Sequence, residues 1–205
     1  MKFKKAAGAE NNVVKFRDRS GISKALIDKL LKMGRKFGIT TVQSFSVDKL
    51  IIKDWVNLKC RYGCTSYGTN WSCPPATPKP DEARKIILEY TTALLLEGHR
   101  KCTDFYRNNR RKREDTVRYW KGIVSTERYL FLAGYYKAFA LVSSVCSLCK
   151  QCTYPEKCRF PQEKRPTIES FSIDLIGTLH NLGATSNVAT SSEDDFNYYG
   201  LILLD

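Results

Sequence analysis

Four cysteines between Val145 and Pro161, at Cys146, Cys149, Cys152 and Cys158, are the residues of this chain whose type and spacing most clearly point to chemistry. Two residues separate the first pair, two the second, and five precede the last. Three thiolates presented at successive three-residue steps can wrap one compact centre, which is the spacing of iron–sulfur ligation. Structural zinc usually takes two cysteine pairs held apart by a longer segment, so a third cysteine only three residues on crowds one tetrahedral ion. The expected cofactor is therefore an iron–sulfur cluster of 4Fe-4S type; zinc is the alternative, and unbound or disulfide-paired thiols the blander one. Pro155 and Pro161 oppose helix here, which suits a loop that wraps a cofactor.

A second cysteine-rich stretch, CRYGCTSYGTNWSCPP, runs from Cys60 to Pro75. Gly63 and Gly68 permit positive-φ turns, while Tyr62, Tyr67 and Trp71 can shield a metal from water. Cys60, Cys64 and Cys73 stand at C-x3-C-x8-C and lack a fourth thiol. Cluster irons normally take four ligands in all, so the site is either completed from a distance or left open, and the expectation is a second cluster with one iron left open. Cys102, the remaining cysteine, sits in a basic segment and is expected to be an ordinary thiol.

Other chemistries find no support. There is no glycine-rich phosphate loop and no H-E-x-x-H helix, and the only histidines are His99 and His180. No serine or cysteine nucleophile is marked by a neighbouring base. Glu163 and Glu169, close to the second loop, are expected to pair with Arg159 and Arg165.

Stepping out from the cysteines, 205 residues with 42% hydrophobic content suffice for one domain with a buried core. Residues 1–20 read as a flexible basic arm, and 21–205 as a single cysteine-rich domain. The N-terminal lysines are not followed by an apolar leader, so a reducing cytoplasm is expected, where clustered cysteines point to metal. Tyr129–Leu148 is long and apolar enough to span a membrane, but Lys137 at its middle costs about 2.5–3.5 kcal/mol on insertion, and a buried helix end followed by a buried strand fits it better.

The net charge of +13 is uneven: residues 1–36 hold 11 Lys/Arg against 3 Asp/Glu, and residues 100–121 hold 9 against 3. Two solvated faces explain this plainly. The sharper reading is an anionic partner, an acidic electron-transfer protein ahead of nucleic acid.

The elements that position the cysteines follow from period and punctuation. Ile22, Ala25, Leu26, Leu30 and Met33 predict a helix stopped at Gly38. Thr40–Phe45 and Lys49–Asp54 predict strands leading to the first loop. Pro80 and Asp81 start a helix to Tyr90, and Thr91–Glu97 is a buried strand. A basic helix covers roughly Thr103–Tyr136, and Lys137–Ser143 is a strand that hands the chain to the four-cysteine loop. Pro166 then starts a helix through Ile168, Phe171, Leu175, Ile176 and Leu179, stopped by Gly183, and Tyr198–Leu204 is a last strand. Alternating helices and strands predict an α/β sandwich, with a mixed central sheet flanked by helices and two cysteine-rich metal-binding loops.

The segments LKCRYGCTSYGTNWSCPP, LFLAGYYKAFAL and CSLCKQCTYPEKCRFPQEKRPTIESFSIDL resemble, in this order and over about residues 21–204, a prokaryotic family of predicted metal-binding proteins known as a domain of unknown function. Val145 stands where that family tends to have glycine, and the NNRRKRE run at Asn108–Glu114 is unusually basic for it. The resemblance implies metal binding at Cys60, Cys64, Cys73, Cys146, Cys149, Cys152 and Cys158, and names no substrate. The expected function is an iron–sulfur redox or electron-transfer protein, extending to an iron–sulfur-dependent oxidoreductase or ligand-activating enzyme if the first site is open. The alternative is a binding module with structural metal whose basic face docks nucleic acid or an acidic protein.

Overall fold

The computed structural model describes residues 22–101, 109–184 and 195–205. The arm expected over 1–20 and Cys102 lie outside the described residues. Along the chain come α1 (Lys24–Gly34), β1 (Thr41–Ser46), α2 (Asp54–Gly63), α3 (Pro80–Ile87), β2 (Thr92–Lys101), α4 (Asn109–Leu132), β3 (Phe139–Val142), α5 (Leu175–Asn181) and β4 (Asp195–Leu204).

The strands lie in the order β1-β2-β4-β3 and every pairing between them is antiparallel. The α/β character and the flanking helices match the expectation, whereas the sheet is antiparallel throughout and not mixed. A parallel pair needs a crossover that returns the chain beside the strand it left. Here α4 delivers the chain to β3, two places from β2, and β4 fills the gap from the opposite direction.

Side chains alternate across the sheet, as strand geometry requires. Leu94, Leu96, Ile202 and Leu204 pack with Leu30 of α1 and Trp120, Ile123 and Val124 of α4 on one face. Ala93, Leu95, Leu201 and Leu203 pack with Ala83 and Ile87 of α3 and Leu179 of α5 on the other. Each fully buried leucine or isoleucine contributes about 1.5–3 kcal/mol relative to exposure, so both layers are held by the same two central strands.

Local signals account for most boundaries. Ser23 Oγ accepts the Leu26 N–H at 3.3 Å and starts α1, and after a 3-10 turn the chain leaves at Gly38 with φ +87°, a conformation that favours glycine. The strand expected over Lys49–Asp54 reduces to a single bridge, Ile52 to Ile173, because a 3-10 turn at Val47–Lys49 and the start of α2 leave too little extended chain. The helix expected from Pro166 is also interrupted. Glu169–Phe171 makes a short 3-10 turn, Ser172 takes φ 58°, and α5 begins only after Asp174, whose carboxylate accepts the Gly177 N–H at 3.0 Å. Its apolar spacing suits a helix, but Asp174 is an N-cap and restarts one. Residues 129–148 split between the end of α4, a turn and β3; among the described residues no helix is long and apolar enough to cross a membrane.

Candidate metal centre

Cys60 does not lie in a loop: it sits in the last turn of α2, and Cys64 follows as the residue that ends the helix. The chain then doubles back. Gly68, at φ +69°, donates its N–H to the Pro74 carbonyl at 2.8 Å, closing a turn that returns Cys73 towards the helix end. Cys73 is buried, Cys60 half-buried and Cys64 exposed. Gly63 ends the helix without the positive φ expected of it.

The four-cysteine loop hangs from the end of β3. Ser143 exchanges two hydrogen bonds with Tyr199 of β4, its N–H donating to the Tyr199 carbonyl and its Oγ accepting the Tyr199 N–H, both at 2.9 Å. Beyond it, Cys146, Cys149, Cys152 and Cys158 all line one small cavity that Trp71, Phe160 and Lys164 help to enclose. Backbone N–H groups reach the sulfurs: Phe160 donates to Cys158 Sγ at 3.4 Å, and Leu148 hydrogen-bonds the Cys146 sulfur. Among the described residues no three His, Cys, Asp or Glu side chains converge as the ligands of one ion.

Ser72 joins the two stretches. Its hydroxyl, fully buried, accepts the Cys146 N–H at 3.1 Å, donates to Asn70 Oδ1 at 2.8 Å and touches Cys73 Sγ at 3.7 Å. Asn70 Nδ2 donates to the Cys146 carbonyl at 3.4 Å. Trp71 belongs to the second loop and not to the first: its indole N–H donates to the Glu156 carbonyl at 2.9 Å, its ring meets Tyr154 edge-on at 5.0 Å, and Lys164 Nζ stands 4.3 Å above it. Tyr62, expected as a shield, is 78% exposed and shields nothing, while Tyr67 is half-buried.

Electrostatics bind each set of thiols together. Burial pushes the Cys146 thiol up to about 11; the Leu148 hydrogen bond opposes this, and Cys152, Cys158 and Cys149 add to it. Burial likewise pushes Cys73 up to about 11 against the pull of Ser72, with Cys64, Cys60 and Glu169 adding to the rise. Cys60 is raised by burial, then by Glu169 and Cys64. Burial keeps these groups as neutral thiols, and a thiolate-loving metal would bind by displacing their protons. The donor chemistry at both places suits such a metal, although among the described residues no three of these side chains converge on one ion.

Two acidic residues depart from expectation. Arg165 pairs with Glu127 of α4 through two hydrogen bonds, at 2.5 and 2.9 Å, and Arg159 donates to the Gln151 carbonyl at 3.3 Å, so neither arginine takes Glu163 or Glu169. Glu169 sits beside Cys60 and Cys73, where burial pushes its carboxyl up to about 7. Arg113, read in the sequence as part of a free basic run, sends Nη2 to the Leu148 carbonyl inside the four-cysteine loop at 3.0 Å. Ser72, Glu169 and Arg113 had no sequence signal of their own: each matters through a neighbour more than 30 residues away.

Residues 43–204 match a family model described as "Predicted metal-binding protein (DUF2284)". No curated protein and no solved structure matches the chain.

Proposed function

The chain belongs to this family of predicted metal-binding proteins, and from that membership we propose that it is an iron–sulfur protein with a four-thiolate cluster on Cys146, Cys149, Cys152 and Cys158 and a second centre on Cys60, Cys64 and Cys73, working in electron transfer. The observation that carries the reading is the single cavity walled by four cysteines. In a cluster each thiolate holds its own iron around a shared volume, whereas one tetrahedral zinc needs all four at a single point. When bound, such a cluster supplies a one-electron couple.

The chain's own residues tune that couple and protect it. The Leu148 and Phe160 N–H groups donate to sulfur and favour the more negative, reduced state. Lys164 and the Arg113 guanidinium bring positive charge to the same side. Trp71 and Phe160 limit water at the cavity mouth. An acidic electron-transfer partner at the basic segment 100–121 is part of the proposal, supported by its excess of 9 Lys/Arg over 3 Asp/Glu.

Anaerobic purification with metal analysis and an absorption spectrum tests the reading. Brown protein that carries iron and acid-labile sulfide and bleaches in air is the expected result; a colourless, zinc-loaded anaerobic preparation overturns it in favour of structural zinc.

A further inference from the structure

Among the described residues the three-cysteine site lacks a fourth thiol, but not a fourth donor. The segment carrying Glu169 is pinned across the site by backbone hydrogen bonds on both sides. Thr167 N–H donates to the Ser72 carbonyl at 2.9 Å, one residue from Cys73, and Lys53 N–H, at the start of α2, donates to the Ser172 carbonyl at 2.8 Å. The 3-10 turn between them packs on α2, whose last turn bears Cys60. Ile168, Ser170 and Phe171 turn into the core with at most 3% exposed, and Glu169 is the member of the turn that the core does not absorb.

Its charge adds to the rise of the Cys60 and Cys73 thiols, and its carboxylate accepts a hydrogen bond from its own backbone N–H. Among the described residues no lysine or arginine forms an ion pair with it. A carboxylate drawn out of water beside thiols, with no side-chain cation, is costly unless a positive charge completes the group. A metal held by those thiols is that charge.

We propose that Glu169 is the fourth ligand of the Cys60, Cys64 and Cys73 site, making it a mixed three-thiolate, one-carboxylate centre. The inference rests on the reading of the three cysteines as metal ligands. Iron in such a centre meets one hard oxygen donor among soft sulfurs, and the oxygen bond is the one that opens most readily. The fourth iron is thus covered at rest and reachable by an incoming oxygen or thiol donor, in place of the permanently open corner expected from the cysteines alone.

The test uses the full chain, reconstituted anaerobically with ferrous iron and sulfide, in four forms: wild type, Glu169→Gln, Glu169→Cys and Cys73→Ala. Iron per chain is measured, one equivalent of ferricyanide is added, and electron paramagnetic resonance follows the three-iron form. In that conversion one electron passes to ferricyanide and one Fe2+ leaves the cluster. Wild type is expected to give the three-iron signal only after oxidation. Glu169→Gln, which keeps the shape of the side chain but not its charge, is expected to hold about one iron fewer before oxidation and, when ferricyanide takes one electron from its three-iron cluster, to give the signal without releasing further Fe2+. Glu169→Cys is expected to hold full iron and resist conversion. Retention of the four-cysteine cluster in all four forms reports that the fold is intact. If Glu169→Gln and Glu169→Cys both match wild type in iron and in signal, Glu169 is not a ligand. If Cys73→Ala also leaves iron and signal unchanged, the metal reading of the three cysteines falls and takes the inference with it.

Discussion

The hydroxyl of Ser72 receives the backbone N–H of Cys146 at 3.1 Å while lying 3.7 Å from the sulfur of its neighbour Cys73. One buried oxygen thus sits between a candidate ligand of the first centre and a candidate ligand of the second. The two cysteine stretches, more than 70 residues apart in the chain, are a single packed unit. A change at this oxygen is felt at both centres.

Ser72→Ala leaves the Cys146 N–H without its acceptor and removes one of the two donors that Asn70 Oδ1 holds, the Ser72 backbone N–H remaining. An unsatisfied buried group costs about 1–3 kcal/mol. Iron release to a chelator is expected to quicken from both clusters, followed as separate spectroscopic signals. Acceleration at one cluster alone would show that the two loops are independent.

Arg113 has to be separated from its basic neighbours. Removing its hydrogen bond to the Leu148 carbonyl costs about 1.5–3 kcal/mol for a charged donor. Arg113→Ala is expected to speed iron loss from the four-cysteine site by about tenfold or more at that cost. Arg110→Ala, Arg111→Ala and Lys112→Ala combined are expected to leave iron content intact while weakening binding to an acidic carrier protein and flattening its salt dependence. Metal analysis and a salt titration of binding distinguish the two sets.

Thiol chemistry in the metal-free protein carries a pH signature. With Cys73 and Cys146 raised to about 11, only about one thiol in a thousand is ionised at pH 8. Alkylation at these two positions is expected to rise about tenfold per pH unit up to pH 11 and to fall equally on acidification. Metal loading must expel the same protons, so metal affinity rises with pH over that range. Mass spectrometry of quenched alkylation reactions gives the rate at each cysteine, and a flat pH profile at Cys73 contradicts its burial.

The Arg165–Glu127 pair is mostly buried, with side chains 16% and 11% exposed. Glu127→Ala strands the guanidinium and is expected to cost about 3–5 kcal/mol in urea unfolding. Replacing both residues by apolar ones of similar size is expected to cost far less, because no lone charge remains. Equal losses in the two variants would mean that the segment after the cysteines is held by packing instead.

Local signals were readable from the chain where one residue decides the outcome. Gly38 ends the α1 region, Pro80 opens α3, and continuous apolar runs mark β2 and β4. Both cysteine groupings were visible by their spacing, and the structure brings Cys146, Cys149, Cys152 and Cys158 to one cavity. Features set by distant neighbours were not. The apolar period from Ile168 to Leu179 looks like one helix, yet the bridge between Ile52 and Ile173 pulls the chain straight in its middle. Cys60 reads as a loop residue because glycine and cysteine surround it, but the run from Asp54 packs on the Glu169 turn and stays helical past it. Arg165 lies beside Glu163 in sequence, and only the placement of α4 reveals Glu127 as its partner.

In the sheet, β3 pairs with β4 alone. While a ribosome is still making the chain, the stem of the four-cysteine loop is held at Val142 by the Thr167 segment, and gains its strand partner when residues 195–204 have emerged. Until then Ser143 has no Tyr199 to grip. If the proposed cluster is built on this loop, iron and sulfide meet a more accessible loop before β4 has paired and a clamped one afterwards.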